Sequence, residues 1–195
     1  MAFWSTPLTE GQGDPKRKYR FTVQFDELAF AGSGIIWFAK SVTKPAMTIS
    51  ETEHTFLDKK YYFPGRVEWN TITLTLVDPA DPDKSEDAVK QMNSLIEAAG
   101  YKIAANPEQL ETMSKAKSVS ALGAIVINQI NDAGKTIESW TLNNAFIKDM
   151  KFGDLDYTGD ELIELSLELR YDWATCEVFK NDGSSVEKFF TTETK

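Results

Sequence analysis

The chain is expected to be mainly β with one flanking α-helix: a small antiparallel β-barrel or sandwich from which a long hairpin protrudes. Three observations lead there. Apolar and polar residues alternate with period two at Tyr19–Phe25, Ile72–Leu76 and Ile163–Trp173, the spacing of half-buried strands. Helical spacing of apolar residues is confined to one segment, Lys84 to Ala99. Between them, residues 43–66 are rich in β-formers but have no one-sided apolar stripe. With 195 residues, 42% hydrophobic and 26% charged, the chain is large enough to bury a core without disulfides and too short for two ordinary domains.

Residues 1–17 carry Pro7, Gly11, Gly13 and Pro15 among polar neighbours and read as an extended arm ending in the basic knot Lys16, Arg17, Lys18 and Arg20. Tyr19, Phe21, Val23 and Phe25 then form the first strand. Gly32-Ser33-Gly34 offers a turn, and the apolar run Ile35–Val42 follows it, so these two strands are predicted to pair as an antiparallel hairpin. Thr43-Lys44-Pro45 breaks the run. The stretch through Met47, Ile49, Thr52, Thr55 and Phe56, the turn Asp58-Lys59-Lys60 and the return Tyr61-Tyr62-Phe63-Pro64-Gly65 read as a hairpin arm lying away from the core. A free two-stranded hairpin is marginal in water, so this arm is expected to need a partner surface.

Glu68–Asp78 reads as the clearest strand of the first half, with Ile72, Leu74 and Leu76 on one face and Thr71, Thr73 and Thr75 on the other. Asp78-Pro79-Ala80-Asp81-Pro82 stops it. Asp83 and Glu86 resemble a capping box, Val89, Met92, Leu95, Ile96 and Ala99 supply the helix stripe, and Gly100 suits its end. Residues 101–117 are expected as a loop, with a helical turn near Glu108–Met113. Val119–Asn131 and Lys135–Ala145 are expected as a hairpin joined by Asp132-Ala133-Gly134. Phe152–Gly159 reads as an acidic loop. The closing strand places Ile163, Leu165, Leu167, Leu169, Tyr171 and Trp173 on one face and Glu164, Ser166, Glu168, Arg170 and Asp172 on the other. The expected division is an arm at 1–17, a domain at 18–176 and a polar tail at 177–195 that contains Phe189-Phe190.

Much chemistry is excluded. Thirty acidic against 21 basic residues give a formal charge of −9, against a surface dedicated to nucleic acid. One cysteine, Cys176, and one histidine, His54, leave no disulfide framework and no Cys/His zinc cluster. No phosphate-binding glycine motif and no nucleophile elbow occur. Asp154, Asp156, Thr158 and Gly159 match the start of a calcium loop, but its twelfth position is Leu165 and Glu164 lies one residue short. A turn before a strand is the better reading. No enzyme activity and no cofactor are expected. Met-Ala-Phe-Trp-Ser-Thr-Pro carries no basic region followed by an apolar run, so no secretory signal is expected there, and no apolar stretch approaches the roughly 18 residues of a membrane span.

The order of these elements resembles the tail tube protein of T4-like contractile-tailed bacteriophages, which shares its fold family with the type VI secretion tube protein. Three stretches carry the resemblance over roughly residues 18–175. They are Phe38-Ala39-Lys40 with Lys44-Pro45-Ala46; Phe63-Pro64-Gly65 leading into Val67–Asp78; and Asn144-Ala145-Phe146-Ile147 through Gly153-Asp154-Leu155-Asp156-Tyr157, closed by Leu165 to Tyr171-Asp172-Trp173. The resemblance implies a structural virion protein that self-assembles into hexameric rings stacked as the inner tail tube, the conduit for viral DNA delivery. It implies that the hairpin, through Lys44, Pro45, Met47, Ile49, Phe56, Tyr61, Tyr62 and Phe63, reaches neighbouring subunits and rings. The implied partners are further copies of the chain, the surrounding sheath, baseplate or tube-initiator and terminator proteins, and tape-measure protein and DNA in the lumen without sequence-specific binding; no membrane insertion is implied. The implied location is the virion, assembled in the host bacterial cytoplasm. Glu164, Glu168 and Asp172 are the candidates for an acidic face lining the channel. Two alternatives stay open: the tube of a type VI-like or extracellular contractile injection system, and a β-barrel carbohydrate- or ligand-binding module using aromatics such as Trp4, Trp37, Trp69 and Trp140.

Overall fold

A computed structural model describes residues 15–25, 39–78, 88–103, 106, 108, 111–180 and 183–191. Among them are eleven strands and two helices. β1 (Phe21–Phe25), β6 (Ile125–Ile130), β7 (Thr136–Asn143), β10 (Trp173–Phe179) and β11 (Ser185–Phe189) form one antiparallel sheet in the order β1-β6-β7-β10-β11. A second antiparallel sheet has the order β2-β5-β9-β8, from β2 (Ala39–Val42), β5 (Ile72–Val77), β9 (Glu164–Arg170) and β8 (Phe146–Lys151). Among the described residues, β3 (Met47–Phe56) and β4 (Lys59–Trp69) pair only with each other.

Period two explains the core. Ile72, Leu74 and Leu76 of β5 stand opposite Leu169, Leu167 and Leu165 of β9, and all six are essentially fully buried. The intervening positions, Thr73 and Thr75 on β5 and Ser166 and Glu168 on β9, face outward. The five-stranded sheet contributes Val23, Ile125, Ile127, Leu142 and Ala174 to the same cluster. Helix α1 (Ala88–Ala98) adds Met92 and Leu95, and α2 (Lys115–Leu122) adds Leu122. The two sheets therefore share one core as a sandwich, and they are not closed into a barrel.

Several expectations need correction. β1 and Ala39–Val42 do not form a hairpin: β1 pairs with β6 in one sheet, and β2 pairs with β5 in the other. Both sequences alternate correctly, but alternation does not name the neighbour. The run from Glu68 is two strands, because β4 extends to Trp69 before β5 starts at Ile72. Residues 115–122 are helical, so the described residues hold two flanking helices where one was expected. Ser114 accepts the Lys117 amide at 3.2 Å as N-cap, and Gly123 ends the helix with φ +64°, stop signals masked by the apolar residues beyond. β8 was not anticipated as a strand. The closing strand is also two: β9 ends at Arg170, and the chain crosses to the other sheet at Tyr171-Asp172 before β10. Within the stretch expected as a polar tail, Glu177–Phe179 complete β10 and residues 185–189 form β11.

The turn of the β6–β7 hairpin is as predicted, whereas Val119–Leu122, expected as the start of its first strand, belong to helix α2 and β6 begins at Ile125. Asn131 N–H bonds to Lys135 O at 2.9 Å, and Gly134 takes φ +75°, a conformation that costs glycine little. The Gly32-Ser33-Gly34 turn, Ile35–Phe38, the Pro79–Pro82 stop and the Asp83/Glu86 cap lie outside the described residues, as do most of the 1–17 arm and Trp4 and Trp37.

Candidate functional site

β3 has ten residues and β4 eleven, so the arm is roughly 34 Å long at the rise of an extended strand. Every residue of β3 and all of β4 except Trp69 are exposed. Directly paired residues share a face. On one face lie Met47 opposite Trp69, Ile49 opposite Val67, Glu51 opposite Pro64 and Glu53 opposite Tyr62. On the other lie Thr52 opposite Phe63, His54 opposite Tyr61 and Phe56 opposite Lys59. The register shifts between Ile49 and Glu51. At that bulge the Arg66 amide donates to Ser50 Oγ at 2.8 Å, and a Cβ on Gly65 would lie 2.3 Å from the same oxygen. Leu57, at the tip, has φ +56° and is 84% exposed.

Among the described residues, the arm is held at its root. Asn70 N–H donates to Ala46 O at 2.8 Å, Thr43 N–H to Thr73 O at 3.0 Å, and Thr48 Oγ1 to Asn70 Oδ1 at 3.1 Å. Arg170 Nη2 reaches Glu68 Oε1 at 2.7 Å. Lys44, just before β3, donates to Gln129 Oε1 at 2.6 Å and to Glu138 Oε1 at 2.5 Å. Lys16 bonds the other Glu138 oxygen, and Trp140 Nε1 donates to Oε1 at 2.6 Å. Burial opposes ionisation of Glu138, yet the bonds from Lys16, Lys44 and Trp140 outweigh it and hold this carboxyl at about 2. Trp69 packs on Tyr171 at 5.9 Å between ring centroids.

The predicted arm residues thus divide. Met47, Ile49, Phe56, Tyr61, Tyr62 and Phe63 are exposed on the arm. Lys44 is tied to its own body, and Pro45 is half-buried beside it. Val67 and Leu57 belong with the exposed apolar set but were not singled out, since Val67 reads as the start of the next strand and Leu57 as part of a turn. Glu164 and Glu168 lie on the outward face of β9, each beside a lysine: Lys40 for Glu164, and Lys148 at 2.7 Å for Glu168. Asp172 has a structural duty where the chain changes sheets. It accepts from Lys115 at 2.7 Å and from Asn144 Nδ2 at 2.9 Å, and Lys115 first, then Asn144, hold its carboxyl below the ordinary range.

A second exposed surface is the loop after β8, where Phe152, Leu155, Tyr157 and Leu162 stand out from acidic neighbours. Asp156 accepts the Thr158 amide at 3.0 Å and its hydroxyl at 2.7 Å, the geometry of a turn. A groove of about 300 Å³ lies between the two helices and β8, lined by Leu95, Tyr101, Met113, Leu122 and Ile147. Trp69 and Trp140 are not in it; both are engaged by Phe190. Among the described residues no cluster of His, Cys, Asp or Glu could hold a metal, and no helix is long and apolar enough to cross a membrane.

No protein-family model and no curated protein sequence matches the chain. Solved structures do. The anti-feeding prophage cap, a tube-terminating cap, is 22% identical with a TM-score of 0.58, covering 91% of this chain and 99% of that one. The chain has the tail-tube fold. A component of the sheath/tube terminator of the extracellular contractile injection system PVC, in its extended state, is 22% identical with a TM-score of 0.56 over 84% of this chain and 97% of that one. One from the PVC sheath-tube complex is 22% identical with a TM-score of 0.54 over 84% and 92%. The tail-tube fold matches the resemblance carried by the sequence motifs.

Proposed function

We propose that this protein is a non-catalytic structural subunit that assembles with copies of itself, through its projecting hairpin, into the rings of an inner tube or its terminal cap in a contractile tail or injection machine. One observation carries the reading: a two-stranded arm about 34 Å long displays exposed apolar side chains on both faces, and among the described residues its hydrogen bonds to its own body lie at the root. A surface of that kind is stable when other surfaces cover it. Two apolar faces suit insertion between two neighbouring bodies rather than packing on one. Contacts that close by rotation give a ring, and repetition along an axis gives a tube.

The structural neighbours are parts of tube, terminator and sheath-tube assemblies. They support a place inside a sheath with a baseplate or terminator at the ends. Hexameric rings and the passage of DNA are the narrower form of the proposal. For that form, the outward face of β9 is the candidate channel wall, although Glu164 and Glu168 alternate with lysine partners and Arg170, so its field is weaker than bare carboxylates would give.

The test is to replace Ser50–Arg66 by Asn-Gly, which joins the Ile49–Val67 pair by a tight turn. Wild-type protein at high concentration should give rings or tubes by electron microscopy and a concentration-dependent mass. The shortened chain should remain a folded, β-rich monomer. Normal tubes from the shortened chain, or a wild-type chain that stays monomeric at every concentration, would overturn the reading.

A further inference from the structure

Among the described residues, β11 is an edge strand whose five residues are all exposed and which pairs with β10 alone. Directly after it, Phe190 adopts φ +58°, a left-handed conformation that is strained for a non-glycine residue. That backbone sets its ring against two indoles at once. It meets Trp69 edge-on at 5.5 Å between centroids and stacks on Trp140 at 6.2 Å with 24° between planes. Trp69 is the last residue of β4. Trp140 is hydrogen-bonded to Glu138, the carboxylate that holds Lys44 before β3. A single side chain near the C-terminus therefore reaches the roots of both arm strands, one directly and one through Trp140 and Glu138.

We infer that β11 and Phe190 form a strap that fixes the direction in which the arm leaves the body. The mechanics favour such a device. The arm is a lever of roughly 34 Å, so a rotation of about 10° at its root displaces the tip by about 6 Å, more than the spacing between neighbouring strands. Only Asn70 and Thr71 separate β4 from β5, so the arm's direction is set by the few contacts at this junction. Phe190 packs edge-on against Trp69, the residue just before this junction, and so restrains it. The consequence for assembly rests on the arm's proposed role, because a misdirected arm finds no neighbour.

The test is hydrogen–deuterium exchange on dilute, unassembled protein, comparing wild type with Phe190→Ala and Phe190→Tyr. In Phe190→Ala, exchange should rise about three- to tenfold at the root amides of Asn70, bonded to Ala46 O, and of Thr48 and Glu68, the next hydrogen-bonded pair, the factor corresponding to loss of an aromatic pair. Amides of β5 and β9 should be unchanged, and Phe190→Tyr, which keeps the ring, should restore the wild-type pattern. Root exchange that is unchanged, or that rises equally across both sheets, would overturn the strap. The assembly threshold is measured separately. Loosened roots with unaltered assembly would count against the arm as the assembling element and leave the strap standing.

Discussion

The carboxylate of Glu138 lies almost out of solvent with two lysines and an indole around it, and its titration is a stability statement. Its folded value, about 2, is below the ordinary 4.5, so it stabilises the fold fully above about pH 4.5. That contribution declines as pH falls and is gone below about pH 2. With half-exposed lysines it amounts to on the order of 2 kcal/mol. Urea denaturation should therefore show stability falling between about pH 4.5 and 2, and Glu138→Gln should be less stable at neutral pH with a flatter profile over that window. Leucines separate by burial in the same way. Leu167 is fully buried and Leu155 is 86% exposed. Leu167→Asp should abolish the cooperative thermal transition, because an unpaired buried charge costs several kcal/mol against a total of about 5–15. Leu155→Asp should leave the transition within about 2 °C of wild type. His54 and Cys176, each single in the chain, play no joint role: one lies on the exposed arm opposite Tyr61, the other is buried in β10.

At the scale of elements, the arm bulge and helix α2 carry separable predictions. Gly65 has no room for a side chain beside Ser50. Gly65→Val should break the bond from Arg66 N to Ser50 Oγ and change circular dichroism and assembly, while the melting temperature of the body stays unchanged, since β3 and β4 add nothing beyond Trp69 to the core. Ser114→Ala removes the N-cap of α2 and should cost about 1 kcal/mol in chemical denaturation. Which elements the sequence could reveal follows from their physics. β5 and β9 each bury one face, so alternation exposed them, and the arm betrayed itself by lacking alternation. Helix α2 is only eight residues with a weak apolar stripe, and its residues pass equally well for the start of β6. β8 is an edge strand that buries little, so its pattern is faint. Phe189-Phe190 stood out within a polar tail, yet only contact with Trp69 and Trp140 gives Phe190 a purpose.

For the whole molecule, a formal charge of −9 acts between copies rather than within one. Like-charged subunits repel until salt screens them, and the screening length falls from about 10 Å at 0.1 M to about 3 Å at 1 M. Raising salt over that range should lower the assembly threshold measured by sedimentation. A threshold that rises with salt would instead point to interfaces dominated by attraction between opposite charges.

The amino-acid sequence determined that the chain is mainly β, which residues of β5 and β9 face the core, where α1 and the β6–β7 turn lie, and that residues 43–66 lack a covering surface of their own. These are local properties, written in the period of neighbouring side chains. Tertiary structure alone decided which strands pair, since period two is the same whichever neighbour a strand takes. It sent β1 and β2 to different sheets, divided the closing strand at Asp172, and turned candidate carboxylates into lysine-paired or structural ones. It also brought Lys44, Glu138, Trp69 and Phe190, distant along the chain, to the root of one arm.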